Sequence, residues 1–295
     1  MTVINTAEIE PAKFKTIGIL GSGIMGSGLA EVAARAGYTA IVRSRSRSTA
    51  EAMVAALGKS LARQVEKGKL DSDERDAIVG RVSATDHLGD LVECDLVIES
   101  VVEDLDVKKC LFAELDSVIK PSAILATNTS TLPVVDLAMV TQRPEKVCGV
   151  HFFNPAPMMK LVEIVRPLTA SDETIAAVTA FAADCGKDAV EVKDQAGFIV
   201  NALLFPYLNN AVRMSELGVA SVADIDTAMK GGCNFPMGPF ALLDLVGLDT
   251  SLAILDALYA EFRDANYSAV PTLRRMVAAG RLGRKNGRGF FDYSR

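Results

Sequence analysis

The sequence predicts an α/β fold: a doubly wound parallel sheet followed by an all-helical C-terminal domain. Three observations predict it. Short β-rich apolar runs alternate with helical stretches along the front of the chain, as strand–helix–strand units require. A G-x-G-x-x-G loop (Gly21, Gly23, Gly26) directly follows the first of these runs and opens a helix. From about Asp194 onward the pattern is helical, with strongly apolar faces.

The elements follow in order. "FKTIGILG" (14–21) is a strand that ends in glycine, and "SGLAEVAARAG" (27–37) is a helix stopped by Gly37. "YTAIVRS" (38–44) is the next strand, and polar helical stretches run from about Ser48 to Gly68 and from Asp71 to Val79. "CDLVIESV", "AILATNTS" and "KVCGVHFF" read as strands, with the helix "DVKKCLFAELDSVI" after the first of them. In the rear part, "GFIVNALLFPYLNNAVRMSELG" reads as one long amphipathic helix with a kink expected at Pro206. "SVADIDTAMKGG" carries a cap signal at its start and glycine at its end, and further helices fall at about 238–246, 249–263 and 270–279. These textures divide the chain into an α/β domain that carries the glycine loop, residues 1–193, and an all-helical domain, residues 194–295.

Composition narrows the function classes. The 295 residues are 49% hydrophobic and 23% charged, which suits a globular protein of one large or two ordinary domains. A net charge of −6 supplies no basic excess for a general nucleic-acid binder. The N-terminus, "MTVINTAEIEPAKFK", lacks the apolar stretch of a secretory signal, and no run is long enough to span a membrane. Five cysteines without CxxC spacing read as free thiols of a reducing cytoplasm, and with only His87 and His151 beside them no metal site is expected.

The residues that carry chemistry start with the glycine loop, where Ile24 and Met25 complete the turn into the helix. Missing side chains there let a pyrophosphate reach backbone N–H groups at the positive helix end, which makes this a Rossmann-type nucleotide site. About 20 residues on, an Asp or Glu ordinarily holds the ribose of NAD. This chain has Ser44 instead, flanked by Arg43 and Arg45, with Arg47 beyond. His151 ends an apolar strand before a proline-bounded loop, and Glu163 lies within the apolar run "KLVEIV". A carboxylate in such a run needs a partner, and His151 is one candidate, since pairing would hold the imidazole in one tautomer. Asn128 and Ser130 lie just past a strand's C-terminal end, where open α/β sheets bind ligands; a simple polar turn is the alternative reading. Asn201 is a polar residue in the helix that opens the second domain, and there a solvent-facing position is the alternative.

The glycine loop together with "VIESVVEDLDVKKCLFAELD", "ATNTSTLP", "HFFNPAPMMKLVEIV", "GFIVNALLFPYL", "ASVADIDTAMKGG", "PMGPFALLDLVGLD" and "LGRKNGRGFFDY" resembles the short-chain L-3-hydroxyacyl-CoA dehydrogenase family from about Lys15 to Tyr293. The resemblance implies His151 as the catalytic base, Glu163 as its support, and Ser130 and Asn201 as contacts to the substrate oxygen. It implies cofactor contacts at Glu103, Lys108, Asn128 and Lys285, and thioester-cofactor contacts at Ser60, Lys67 and Asn154. For residues 1–193 it implies a dinucleotide-binding domain, and for residues 194–295 substrate and dimer contacts. The sequence departs from the family pattern at Thr127, Thr131, Ala202 and Ser44.

What the resemblance implies is hydride transfer between a nicotinamide cofactor and an L-3-hydroxyacyl or 3-ketoacyl thioester, carried by CoA or by an acyl-carrier protein and short-chain as in 3-hydroxybutyryl-CoA. Rival readings are a dehydrogenase of a free hydroxy acid, for which the family analogy implies a Lys acid/base, and a crystallin-like or redox-sensing protein without turnover. Ser44, Arg45 and Arg47 point to NADP, with NAD possible, because a 2′-phosphate would meet arginine rather than a repelling carboxylate. Arg43 carries less of this argument, since NAD-using relatives often have an Arg there. The apolar load of "ALLFPYL" and "PFALLDLVGL" predicts a homodimer through the helical domain.

Overall fold

The computed structural model describes residues 14–294, and the N-terminal segment read above as lacking a secretory signal lies mostly outside the described residues. The chain divides after Asp194 into two compact units.

In the first unit the strand–helix order is β1 (Thr16–Leu20), α1 (Ile24–Arg35), β2 (Thr39–Arg43), α2 (Arg47–Glu66), α3 (Ser72–Gly80), β3 (Val82–Thr85), β4 (Leu96–Glu99) and α4 (Leu105–Val118). It continues with β5 (Ile124–Thr127), α5 (Val134–Ala138), β6 (Val147–Phe152), β7 (Leu161–Arg166), α6 (Asp172–Asp184) and β8 (Asp188–Lys193). Among the described residues the strands form one eight-stranded sheet in the order β3-β2-β1-β4-β5-β6-β7-β8. The order reverses between β1 and β4, so the strand ends there form the switch point at which such sheets bind ligands.

All neighbouring pairs are parallel except β6 and β7, which run antiparallel. The expectation of a parallel sheet is corrected at this pair. Only residues 153–160 separate the two strands, and a parallel crossover needs a dozen residues or more. The helix α6 supplies such a crossover next, so β8 pairs parallel with β7. The core sits on the sheet: Ile17 and Ile19 of β1, Val42, Ile98 and Val150 pack with Leu29, Leu57 and Phe181 from the helices. β3, α5, β7, α6 and β8 are not assigned from the sequence; β8 is an edge strand with mostly exposed residues, three of them charged, which gives weak periodicity.

The second unit contains α7 (Val200–Glu216), α8 (Val222–Cys233), α9 (Pro239–Val246), α10 (Leu248–Phe262) and α11 (Pro271–Ala278). α7 continues as one helix through Pro206. Its inward face, Phe205, Leu208 and Val212, packs on Phe240, Leu243, Leu255, Leu258 and Leu273. Ser221 caps α8 by accepting from the Asp224 amide at 3.1 Å, as the cap signal predicts. Buried Asp244 accepts from the Phe290 and Phe291 amides at 2.8 and 2.9 Å and from the Tyr293 hydroxyl at 3.1 Å. This anchors the C-terminal segment to α9.

Candidate active site

The glycine loop has the features a dinucleotide needs. Gly21 has φ +111°, and a Cβ there would run into the Ser100 carbonyl, while a Cβ at Gly26 would run into the Gly21 carbonyl. These two glycines close the strand-to-helix turn. Gly23 is different: nothing lies within 4 Å of where its Cβ would be. α1 starts on Gly23 with no side-chain cap and no acidic residue in its first turn, whereas α2, α4, α6 and α8 are capped by Ser46, Asp104, Ser171 and Ser221. An uncapped helix start beside open space is what a pyrophosphate would fill. An open depression of about 470 Å³ lies there, lined by Ser22, Gly23, Ile24, Ser27, Met53 and Ala56. Ile24 is exposed and Met25 packs partly against the core.

At the end of β2 the Ser22 hydroxyl donates to the Ser44 hydroxyl at 3.0 Å, so the glycine loop and Ser44 touch. Arg43 donates from Nε to the Asp86 carbonyl at 3.2 Å and is therefore held to the β3 end. Arg45 is exposed, and Arg47, also exposed, pairs with Glu51 one turn along α2 at 2.9 Å. The Glu51 carboxylate, with smaller contributions from Asp86 and Asp90, raises the Arg47 pKa, although the group is fully charged at any working pH.

His151 and Glu163 face each other across β6 and β7, both buried. Nδ1 of His151 lies 2.8 Å from Oε2 of Glu163, and Nε2 lies 3.1 Å from the Ser130 hydroxyl. A carboxylate at Nδ1 selects the tautomer with its hydrogen there, which leaves Nε2 as the acceptor on the Ser130 side. Phe153 packs its ring on the imidazole, with centroids 4.5 Å apart. Asn128 ties this arrangement together, because its Oδ1 accepts from the Phe152 amide at 2.8 Å.

Behind Ser130 lies a cluster of charges. Glu103 accepts from the Thr129 hydroxyl and, at 3.0 Å, from the Ser130 amide. Burial works against its ionisation, but the Lys108 charge and those hydrogen bonds prevail and hold its carboxyl below the ordinary range. Lys108 was expected at the cofactor. Its ammonium is 1% exposed and lies 2.7 and 2.9 Å from the two oxygens of Glu99 and 3.1 Å from Glu103. Glu99, fully buried at the end of β4, also accepts from the Thr127 hydroxyl at 2.7 Å and the Val101 amide at 2.6 Å.

The first unit thus brings together His151, Glu163, Ser130, Asn128, Glu103 and Lys108, and separately the glycine loop with Ser44. Ser60 on α2 and Lys67 at its C-terminal cap are exposed, as is Asn154 in the β6–β7 loop. Asn201 is buried on α7 of the second unit, where Lys285 forms an ion pair with Asp249. Its burial sets aside the solvent-facing reading of Asn201. Glu99 and Ser22 escaped the sequence reading. The signal for Glu99 was the one that marked Glu163: a carboxylate within an apolar strand, "DLVIES". Among the described residues no group of His, Cys, Asp or Glu is arranged to hold a metal, and no helix is long and apolar enough to cross a membrane.

Comparison with known proteins agrees with this geometry. The family model for the NAD-binding domain of 3-hydroxyacyl-CoA dehydrogenase matches residues 16–195, and that for its C-terminal domain matches residues 197–293. A 3-hydroxybutyryl-CoA dehydrogenase of Mycobacterium tuberculosis is 48% identical over 283 residues, covering 94% of this chain and 98% of the relative. One from Clostridioides difficile is 45% identical over 279 residues, covering 95% and 99%. The crystal structure of (S)-3-hydroxybutyryl-CoA dehydrogenase from Ralstonia eutropha superposes with a TM-score of 0.93 at 41% identity, covering 96% of this chain and all of that one. The chain belongs to the 3-hydroxyacyl-CoA dehydrogenase family, with a nicotinamide-cofactor domain followed by the family's helical C-terminal domain.

Proposed function

We propose that the protein interconverts an L-3-hydroxyacyl thioester and its 3-ketoacyl thioester, with short-chain 3-hydroxybutyryl-CoA and acetoacetyl-CoA as the substrate pair. The observation that carries this reading is the line of close contacts from buried Glu163 through buried His151 to the half-buried Ser130 at the C-terminal end of β5. When bound, the nicotinamide supplies hydride acceptance in one direction and hydride donation in the other. In the oxidative direction Nε2 of His151 takes the proton of the 3-hydroxyl as hydride leaves C3. Glu163 steadies the imidazolium formed, and the Ser130 hydroxyl hydrogen-bonds the substrate oxygen and fixes its place against Nε2. In the reductive direction the same proton returns to the ketone oxygen. The relatives' names support CoA as the thioester carrier.

NADP(H) is the proposed cofactor form. Ser44 puts no carboxylate at the end of β2, and the Arg47–Glu51 pair is exposed and therefore weak, so a phosphate can displace Glu51. The start of α2 adds no acid in its first turn. One observation favours NAD instead: the Ser22 hydroxyl already orients Ser44, whose oxygen would suit a ribose hydroxyl. A homodimer through the helical unit is part of the proposal, supported by Leu203 and Leu217, 72% and 73% exposed on and just beyond α7. So is a cytoplasmic site, supported by five unpaired cysteines, Cys94 and Cys148 among them fully buried.

The test is steady-state kinetics of the purified protein with acetoacetyl-CoA, acetoacetyl-carrier protein and free acetoacetate, each with NADPH and NADH. Turnover of acetoacetyl-CoA with the free acid inert supports the reading. A preference for free acetoacetate would replace it with the hydroxy-acid alternative.

A further inference from the structure

Residues 153–160 join β6 to β7 and begin with Phe153, whose ring packs on the His151 imidazole. The connection closes into one turn at Pro155, whose carbonyl accepts from the Met158 and Met159 amides, both at 3.0 Å. A single turn leaves its last carbonyls without partners inside it. Lys187 supplies donors from outside: its ammonium donates to the carbonyls of Ala156 at 2.7 Å, Met159 at 2.8 Å and Pro157 at 3.4 Å. The three N–H groups of a lysine thus match three backbone acceptors. A cation is also the charge that the carbonyl end of a helical turn favours.

The Lys187 stem is fixed by the way α6 ends. Gly186 takes φ +69°, and the Lys187 amide reaches back to the Ala182 carbonyl at 3.0 Å, a helix stop that a left-handed glycine permits. The Asp188 amide then donates to the Lys160 carbonyl at 2.8 Å, so the exit of the connection is tied to the same strand start. On its other side the turn rests on α1. Ala156 is buried, and a Cβ at Gly28 would lie 3.0 Å from the Ala156 Cβ and 3.4 Å from the Pro157 Cδ.

We propose that Lys187 is a positioning residue: its ammonium locks the 155–159 turn against α1 and thereby holds the Phe153 ring on the His151 imidazole. The physical reason is geometric. Phe153 stands only two residues before Pro155, so a shift of the turn passes directly to its ring. The Nδ1 contact to Glu163 sets the tautomer of His151, and the packed ring of Phe153 sets the tilt of the imidazole. The tilt decides where Nε2 meets the Ser130 hydroxyl and the substrate oxygen beside it. The proposal rests on the dehydrogenase reading above and adds to it a residue that acts through the turn.

The test uses the full-length protein with acetoacetyl-CoA and saturating nicotinamide nucleotide. Lys187→Met keeps the length of the stem and removes the ammonium, and Lys187→Arg keeps a cation with N–H donors. Phe153→Leu removes the ring and leaves the Lys187 contacts in place. Hydride transfer is read by single-turnover absorbance, nucleotide Kd by fluorescence titration, and local opening by amide hydrogen exchange. In Lys187→Met hydride transfer should fall by about 10²-fold, the scale of a displacement of about 1 Å, with nucleotide Kd unchanged. The Ala156, Met158 and Met159 amides should exchange faster, while those of β1 and β4 keep wild-type rates. Lys187→Arg should recover most of the rate. Phe153→Leu should lose hydride transfer without faster exchange in the turn. If Lys187→Met fails to fold, Lys187→Gln takes its place, and Phe153→Leu is read independently.

Wild-type hydride transfer in folded Lys187→Met, or in Phe153→Leu, would overturn the proposal alone. A loss accompanied by faster exchange throughout the sheet would also overturn it, and would make Lys187 a residue of general stability. Retained hydride transfer with weakened nucleotide Kd would do the same, and would assign the turn to the nucleotide seat on α1. A wild-type protein inert with every 3-ketoacyl thioester would overturn the dehydrogenase reading itself, and the positioning role with it.

Discussion

His151 and Glu163 are direct cross-strand partners in the one antiparallel pair of the described sheet, with Nδ1 2.8 Å from Oε2. Directly opposed residues on antiparallel strands have their Cβ atoms about 4.5–5.5 Å apart, so the register itself brings the two side chains within reach. Replacing His151 by Gln keeps a polar side chain of similar reach and removes the base. The expected result is a loss of about 10²–10⁴-fold in kcat with nucleotide affinity near wild type, measured by steady-state kinetics and fluorescence titration. A variant that keeps half the wild-type rate would take His151 out of the mechanism.

Ser44→Asp puts a carboxylate where a 2′-phosphate is proposed to sit and where NAD's ribose hydroxyls would donate to it. The ratio of kcat/KM for NADPH over NADH should fall by at least about tenfold, since each charge-assisted contact to phosphate is worth about 1.5–3 kcal/mol. Wild-type preference for NADH, or no shift in the variant, would refute the arginine argument.

Leu203→Glu combined with Leu217→Glu should convert a dimer to a monomer in light scattering at micromolar concentration. Burial of each leucine is worth about 1.5–3 kcal/mol, so the pair should weaken association by at least about 100-fold. If the wild type is already a monomer, the proposed interface does not exist.

Asp95 makes a pH-dependent contribution that can be read directly. Burial opposes its ionisation, but Lys120 at 2.7 Å and the amides of Thr16 and Lys15 prevail, so its carboxyl is held below the ordinary range. A depressed folded-state pKa gives stability that is present above the unfolded value and lost as pH falls through the folded one. Asp95→Asn should therefore cost about 1–3 kcal/mol in urea unfolding at pH near 7, and progressively less as the pH drops below about 4. An equal cost at both pH values would show that charge plays no part.

Thiol labelling should follow burial. Cys110 is exposed on α4, while Cys94 and Cys148 are fully buried, with burial pushing both thiols up to about 12. In the native protein at mildly alkaline pH, Cys110 should be modified early and Cys94 and Cys148 only on unfolding. Mass mapping that finds Cys148 labelled first would show the β6 core to be open.

Much of this was legible in one dimension. The glycine loop, the strand–helix alternation and the helical rear part are local patterns, and local sterics and periodicity decide them. Glu163 announced a partner because an isolated carboxylate in an apolar strand is costly, and Ser44 announced itself by replacing an acid at a set distance from the glycines. The tertiary structure alone decided which groups meet. The short β6–β7 loop forbids a crossover, and the resulting antiparallel register sets His151 opposite Glu163 rather than one residue to either side. The resemblance implies a cofactor contact for Lys108, and only the fold shows its ammonium lying between the Glu99 and Glu103 carboxylates. Pairing of this kind depends on residues far apart in the chain, where periodicity carries no information and only the folded geometry chooses the partner.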